Sequence, residues 1–330
     1  MTEKQKIIGG FFSLELPKRT EYQLHSIRLN SARYCLEYVL RARNYKKIYL
    51  PAYICDSVLQ PIKRLNIDYV FYSINEHFAP VFDQVPENDA CFYYVNYFGL
   101  NTGNVQELCH KMQHPIIDNT QAFFDLPLEH VDTLYSPRKF LGVPDGGYLF
   151  IDAEKQIDLE RDPSYYRFDA LLKQIDLGSV PAEPLFEQNE AYLNTCGMQA
   201  MSRSTQRVLM SIDYEQVRAI RNENFRRLHK QIGAYNQLNA NFSDVNGPMC
   251  YPFLIDRGEQ LKDYLLKHQI YTDDFWEEVV SRVSSSSFEY RLAKHLIPLP
   301  IDQRYNKADM RTIVRIVRSW LNGKEHPVRS

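Results

Sequence analysis

Six short runs of nearly unbroken apolar and aromatic residues recur through the first half of the chain: KIYL (47–50), YVFYS (69–73), CFYYV (91–95), PIID (115–118), DTLY (132–135) and YLFI (148–151). They lack the in–out alternation of a strand with one wet face, and so describe strands covered on both sides. Between them lie stretches with helical spacing: SARYCLEYVLRA (31–42), SVLQPIKRL (57–65, interrupted by Pro61) and NVQELCHKM (104–112). Alternating strand and helix predicts an α/β fold with right-handed crossovers and a mostly parallel, doubly wound sheet. Ligands of such sheets bind beyond the carboxyl ends of the strands.

From about residue 203 the texture changes. RSTQRVLMSIDYEQVRAIRNENFRRLHKQI carries Val208, Ile212, Val217, Ile220, Leu228 and Ile232 at helical spacing, which predicts one long helix or two. A strand-like YPFLI (251–255), a helix near 258–268 and a closing helix at about 307–322 follow, with Ser284–Ser287 as a loop. The expected organisation is a large domain over residues 1–205 and a smaller α+β domain over 206–330, which a length of 330 residues accommodates.

Hydrophobic residues at 44% and charged residues at 24% describe a globular chain, not a disordered one. A net charge of −2 offers no bulk attraction to nucleic acid or to a membrane surface, and no stretch approaches the ~20 apolar residues that span a bilayer. The opening MTEKQKIIGGFF has no small-residue cleavage site, so no signal peptide is expected. The six cysteines are widely spaced without a CxxC pair and are expected as reduced thiols of a cytoplasmic protein. His110 and His114 form an HxxxH pair, but no glutamate follows the first histidine and Pro115 ends the helix, so no metal is expected there.

The chemistry concentrates in PIIDNTQAFF and DTLYSPRKFLGVPDGG. One buried strand ends in Asp118, a second strand follows, and Lys139 then appears beside a Pro/Gly-rich turn. Singly, Asp118 could cap a helix and Lys139 lie on the surface. Together they can converge on one crevice as a lysine nucleophile with a carboxylate partner. The start of the 31–42 helix offers Ser31 and the backbone amides of Ala32 and Arg33 to an anion, beside plain N-capping by Asn30 or Ser31. Ser136, three residues before Lys139, could add a hydroxyl.

These segments resemble, in the same order, those of the DegT-type sugar aminotransferases, which have the aspartate-aminotransferase fold of pyridoxal-phosphate enzymes (fold type I). LNSARYCLEYVL resembles the family's phosphate-cradle turn, IYLPAYICDSV its apolar strand, proline and loop, and YYVNYFGL its strand ending in a Tyr-Gly turn. IIDNTQAFF resembles its Asp-x-x-Gln-Ala signature, and SPRKFLGVPDGGYLF its lysine loop with paired glycines. LIPLPIDQRYNKADMRTIV resembles its last strand and closing helix.

The resemblance implies pyridoxal 5'-phosphate as cofactor, attached to Lys139, with Asp118 on its ring nitrogen; these two are the expected catalytic residues. The implied cofactor-binding set is Ser31, Ala32, Arg33, Tyr53, Cys55, Asn96, Tyr97, Asp118, Gln121, Ser136 and Lys139. Within it Gln121 lies near the ring's 3-hydroxyl or its face, and Tyr53, Tyr97 or Cys55 faces the ring. Gly146 and Gly147 either let backbone pass close to the cofactor or form a plain turn. The chain departs from the family at Ala32 (usually glycine), Leu134 (serine), Cys55 (often aromatic) and Met198 (an asparagine brought by the partner subunit). A lysine that attacks an aldehyde must be neutral, which burial and nearby positive charge favour by lowering its usual pKa of ~10.4.

The activity so implied is transfer of an amino group, by family habit from glutamate, to a keto-sugar that can be nucleotide-linked, in a homodimer with shared active sites. A dehydratase or lyase on the same scaffold and a non-catalytic binding or regulatory protein are the alternatives. Lys139 disfavours dehydratases that carry histidine in its place. The stretch YTDDFWEEV (271–279) lacks the pattern expected near a sugar site.

Overall fold

Each of the six apolar runs is a strand. In a computed structural model, which describes residues 8–323, the chain opens with β1 (Ile27–Leu29), α1 (Ala32–Arg43), β2 (Lys47–Pro51), α2 (Leu59–Arg64), β3 (Asp68–Ile74), β4 (Pro80–Val81) and β5 (Ala90–Val95). Then come α3 (Thr102–Lys111), β6 (Pro115–Asp118), β7 (Asp132–Tyr135), β8 (Gly147–Phe150), α4 (Asp169–Leu177) and α5 (Ser179–Thr195). The remainder is α6 (Arg203–Leu209), α7 (Tyr214–Ile232), β9 (Tyr251–Leu254), α8 (Gly258–Lys267), α9 (Phe288–His295), β10 (Leu296–Leu299) and α10 (Lys307–Leu321). Residues 1–7 of the opening stretch, in which no signal peptide is expected, lie outside the described residues.

Eight strands form one sheet in the order β1-β8-β7-β6-β5-β2-β3-β4. The inner five, β7-β6-β5-β2-β3, are parallel, and all six residues of β5 are buried. β8 and β4 run antiparallel to these five, and β1 pairs antiparallel with β8, so it points the same way as the inner strands. For β8 the reason is the connection: residues 136–146 hold only a 3-10 turn at Pro137–Lys139, and a parallel return needs a crossover of a dozen or more residues. β1 and β4 are too short to stand out in the sequence.

The 203–232 stretch resolves into two helices. Ser202 caps α6 by accepting from the Thr205 amide (3.0 Å), and Asp213 caps α7 by accepting from the Gln216 amide (3.1 Å). β9 pairs antiparallel with β10, and α10 begins with a reciprocal capping box between Asn306 and Asp309. Helices α4 and α5 carry no signal in the sequence. Their apolar residues Leu172, Ile175, Leu177 and Val180 face outward, so no buried stripe marks them.

The paired glycines serve backbone packing. A Cβ on Gly147 would stand 2.6 Å from the Ser31 carbonyl carbon and 2.8 Å from the Ala32 nitrogen. Gly146 holds a φ of +134° while its amide donates to the Asn30 carbonyl at 2.7 Å. The pair lets β8 press against the turn that opens α1, where the sequence allowed either a close approach to a cofactor or a plain turn. Gly147→Ala should therefore lower unfolding stability by about 3 kcal/mol, read as a reduced midpoint in urea; an unchanged midpoint would contradict this packing.

Candidate active site

Asp118 ends β6 at the carboxyl edge of the parallel sheet, nearly buried. Its Oδ1 accepts from the Thr120 amide at 2.7 Å, and its Oδ2 from the Tyr93 hydroxyl at 2.7 Å. Burial, reinforced by the adjoining Asp118 carboxylate, holds the Tyr93 phenol well above its ordinary range, so Tyr93 stays protonated and serves Asp118 as a hydrogen-bond donor. Lys139 closes the 3-10 turn after β7, and its Nζ donates to the Thr120 hydroxyl at 3.3 Å. Thr120 thus touches both expected catalytic residues. They line one pocket of about 580 Å³, a size suited to a small-molecule ligand.

One end of that pocket is cationic. Ser31, Ala32 and Arg33 open α1 there, opposite Ser136 and Arg138. Arg33 donates to Gln60 at 2.9 Å and to Asn194, and both Arg33 and Arg138 reach the carboxylate of Glu190. Burial pushes the Arg33 guanidinium below its usual range, Glu190 opposes that, and the like charge of Arg138 adds to it. The Ser31 hydroxyl oxygen is buried without a partner.

Along the wall, Gln121 accepts from the Phe98 amide through Oε1 at 2.8 Å. That bond fixes the amide, and its Nε2 is buried and unpartnered. Cys55 and Leu134 also line the pocket. Tyr53, Asn96 and Tyr97 do not: they form a layer behind the wall. The Tyr97 hydroxyl donates to the Tyr53 carbonyl at 2.7 Å, and Asn96 donates to Asp125 at 2.8 Å and Asn119 at 3.2 Å. All three are buried in the core, and none of them lines the pocket.

The aromatic at the pocket comes from elsewhere. Asp273, Asp274, Phe275 and Trp276 line it, all from the 271–279 stretch whose sequence gives no sugar-site pattern. Trp276 packs on Tyr53 with ring centroids 4.8 Å apart and adopts φ +95°, a strained conformation for a bulky residue. Thr120, Arg138, Glu190 and Asn194 are likewise absent from the sequence-derived set. Thr120 and Arg138 sit inside the two signature segments, while Glu190 and Asn194 carry only an i,i+4 spacing on one helix face. The HxxxH pair does not share a helix: α3 ends at Lys111, and His114 has φ +50° with its ring against Tyr45.

The lysine loop is anchored from the C-terminal half. The carbonyl of Phe140, next to Lys139, accepts from Gln303 at 2.7 Å and from Arg221 of α7 at 3.3 Å. Arg221, buried, also donates to the carbonyls of Pro248 (3.2 Å) and Met249 (3.1 Å), and its guanidinium lies 4.5 Å from the centre of the Phe140 ring. Burial lowers its pKa to about 10, which leaves it charged at neutral pH.

Solved structures match this arrangement over nearly its whole length. Aminotransferase TlmJ from Streptoalloteichus hindustanus superposes with a TM-score of 0.62 at 16% identity, covering 90% of this chain and 86% of its own. PseC of Helicobacter pylori, an aminotransferase involved in the biosynthesis of pseudoaminic acid, gives 0.61 at 13%, covering 91% and 87%. Spr1654 from Streptococcus pneumoniae in its PMP form gives 0.63 at 14%, covering 90% and 88%. The chain has the aminotransferase fold. No protein-family profile and no curated protein sequence matches it. Within the aminotransferase fold the Arg221 clamp is a local feature with a measurable cost. Arg221→Met should destabilise the protein by about 2–4 kcal/mol by leaving buried carbonyls without donors, read by urea denaturation; a variant as stable as the parent would refute the clamp.

Proposed function

We propose that the chain is a pyridoxal-phosphate-dependent aminotransferase that delivers an amino group, with glutamate as donor, to a keto-sugar acceptor, nucleotide-linked in the favoured reading. The observation that carries it is the contact chain from Asp118 through Thr120 to Lys139 in one pocket. The donor set fits the cofactor: an amine, a carboxylate fixed by two donors, a cationic end at a helix N-terminus, and unpartnered polar atoms on Ser31 and Gln121. That structural neighbours are aminotransferases, Spr1654 among them in PLP and PMP forms, supports the same reading.

In this proposal Ser31, Ser136, Arg33, Arg138 and the α1 amides hold the phosphate, and Asp118 pairs with the ring nitrogen. When bound, the cofactor supplies an electron-withdrawing ring that stabilises negative charge at the substrate's α carbon. Lys139 would hold the cofactor covalently and, once its amine is freed, would move the proton between the substrate's α carbon and the cofactor's C4′ carbon. Tyr93 and Thr120 keep Asp118 oriented. Trp276 and Cys55 bound the substrate side and limit water. Residues 1–205 act as the cofactor-binding domain and 206–330 as the smaller one, in a homodimer. Met198, standing where the family's partner asparagine is expected, leaves phosphate binding to groups of the same chain.

Purified protein mixed with pyridoxal phosphate should develop the visible absorbance of a lysine-bound cofactor, and Lys139→Ala should lose it; a parent protein that stays colourless would end the proposal. Asp118→Asn should keep the fold and slow the half-reaction with glutamate at least about a hundredfold, measured by stopped-flow absorbance. An unchanged rate would remove Asp118 from its role.

A further inference from the structure

The cationic end of the pocket holds more positive charge than the chain itself answers. Arg33 and Arg138, with side chains 10% and 19% exposed, both turn onto the single carboxylate of Glu190, which is 48% exposed. Asn194, one helical turn further along α5, adds only a neutral oxygen, shared between Arg33 and the Gln60 amide (3.2 Å). The Arg138 Nε and the Ser31 hydroxyl are buried with no partner. Two desolvated guanidiniums at the N-terminus of a twelve-residue helix are therefore balanced by one carboxylate.

Building on the phosphate-binding reading above, we propose that Glu190 is a displaceable counter-ion that competes with the phosphate of a phosphomonoester for Arg33 and Arg138, and so sets the affinity of the site for dianions. A half-exposed carboxylate can swing into water at little desolvation cost, whereas the arginines are fixed by burial. A bound phosphate carries ≈ −1.5 to −2 charge at neutral pH with three acceptor oxygens. It can answer both guanidiniums and the Ser31 hydroxyl at once, bidentately where geometry allows. A carboxylate ligand would exchange one negative charge for another and gain little, so the exchange selects phosphate over the carboxylate of an amino donor at this end.

The test is equilibrium binding of inorganic phosphate and of pyridoxal phosphate to the full chain by titration calorimetry at fixed ionic strength. Glu190→Gln should bind both roughly fivefold more tightly, and adding Arg138→Gln should erase that gain. Unchanged or weaker phosphate binding in Glu190→Gln would overturn the proposal, because Glu190 would then be positioning the arginines. A gain that survives Arg138→Gln would overturn it as well. Inorganic phosphate requires no lysine link. A protein that never takes up colour yet gains phosphate affinity on Glu190→Gln would defeat the aminotransferase reading and uphold this one. A coloured protein indifferent to Glu190→Gln would do the reverse.

Discussion

The floor of the pocket hangs on the register of three adjacent strands. Val95 of β5, Asp118 of β6 and Leu134 of β7 lie side by side in the sheet, and all three line the cavity. A slip of one residue would turn Asp118 to the opposite face and separate it from Tyr93 and Thr120. What prevents the slip is burial on both sides: β5, β6 and β7 are apolar wherever they meet a covering layer, so any shifted pairing would have to bury the carboxylate elsewhere without donors.

This register explains why so much was legible in the sequence. Uninterrupted apolar runs are the signature of a parallel sheet, and the inner strands fall where those runs lie. The carboxylate and the amine were legible because each ends or follows such a run, at the edge where side chains leave the core. The antiparallel flanks were harder. The orientation of β8 is decided by the 136–146 connection, which is short and folds into a 3-10 turn, a geometric fact that hydrophobic periodicity does not encode.

The rest of the candidate site depends on long-range packing that has no local signal. Trp276 reaches the pocket from 271–279 through an unfavourable backbone conformation, and nothing in YTDDFWEEV announces it. Glu190 and Asn194 come from a helix whose apolar residues point outward, so amphipathic pattern misses the helix and its polar face together. Conversely Tyr53, Asn96 and Tyr97 looked like wall residues because they sit in the right loops. They instead pack into the adjoining core: Asn96 bonds Asn119 and Asp125, Tyr97 bonds the Tyr53 carbonyl, and the two tyrosine rings, 5.7 Å apart, support Trp276 from behind.

Arg221 has a mechanical meaning beyond its hydrogen bonds. One guanidinium joins the middle of a nineteen-residue helix to the peptide that directly follows the lysine, while Gln303, just past the last strand, grips the same oxygen. Through these two bonds the C-terminal third of the chain braces the backbone beside Lys139, so the loop that carries the amine is held from outside the large sheet.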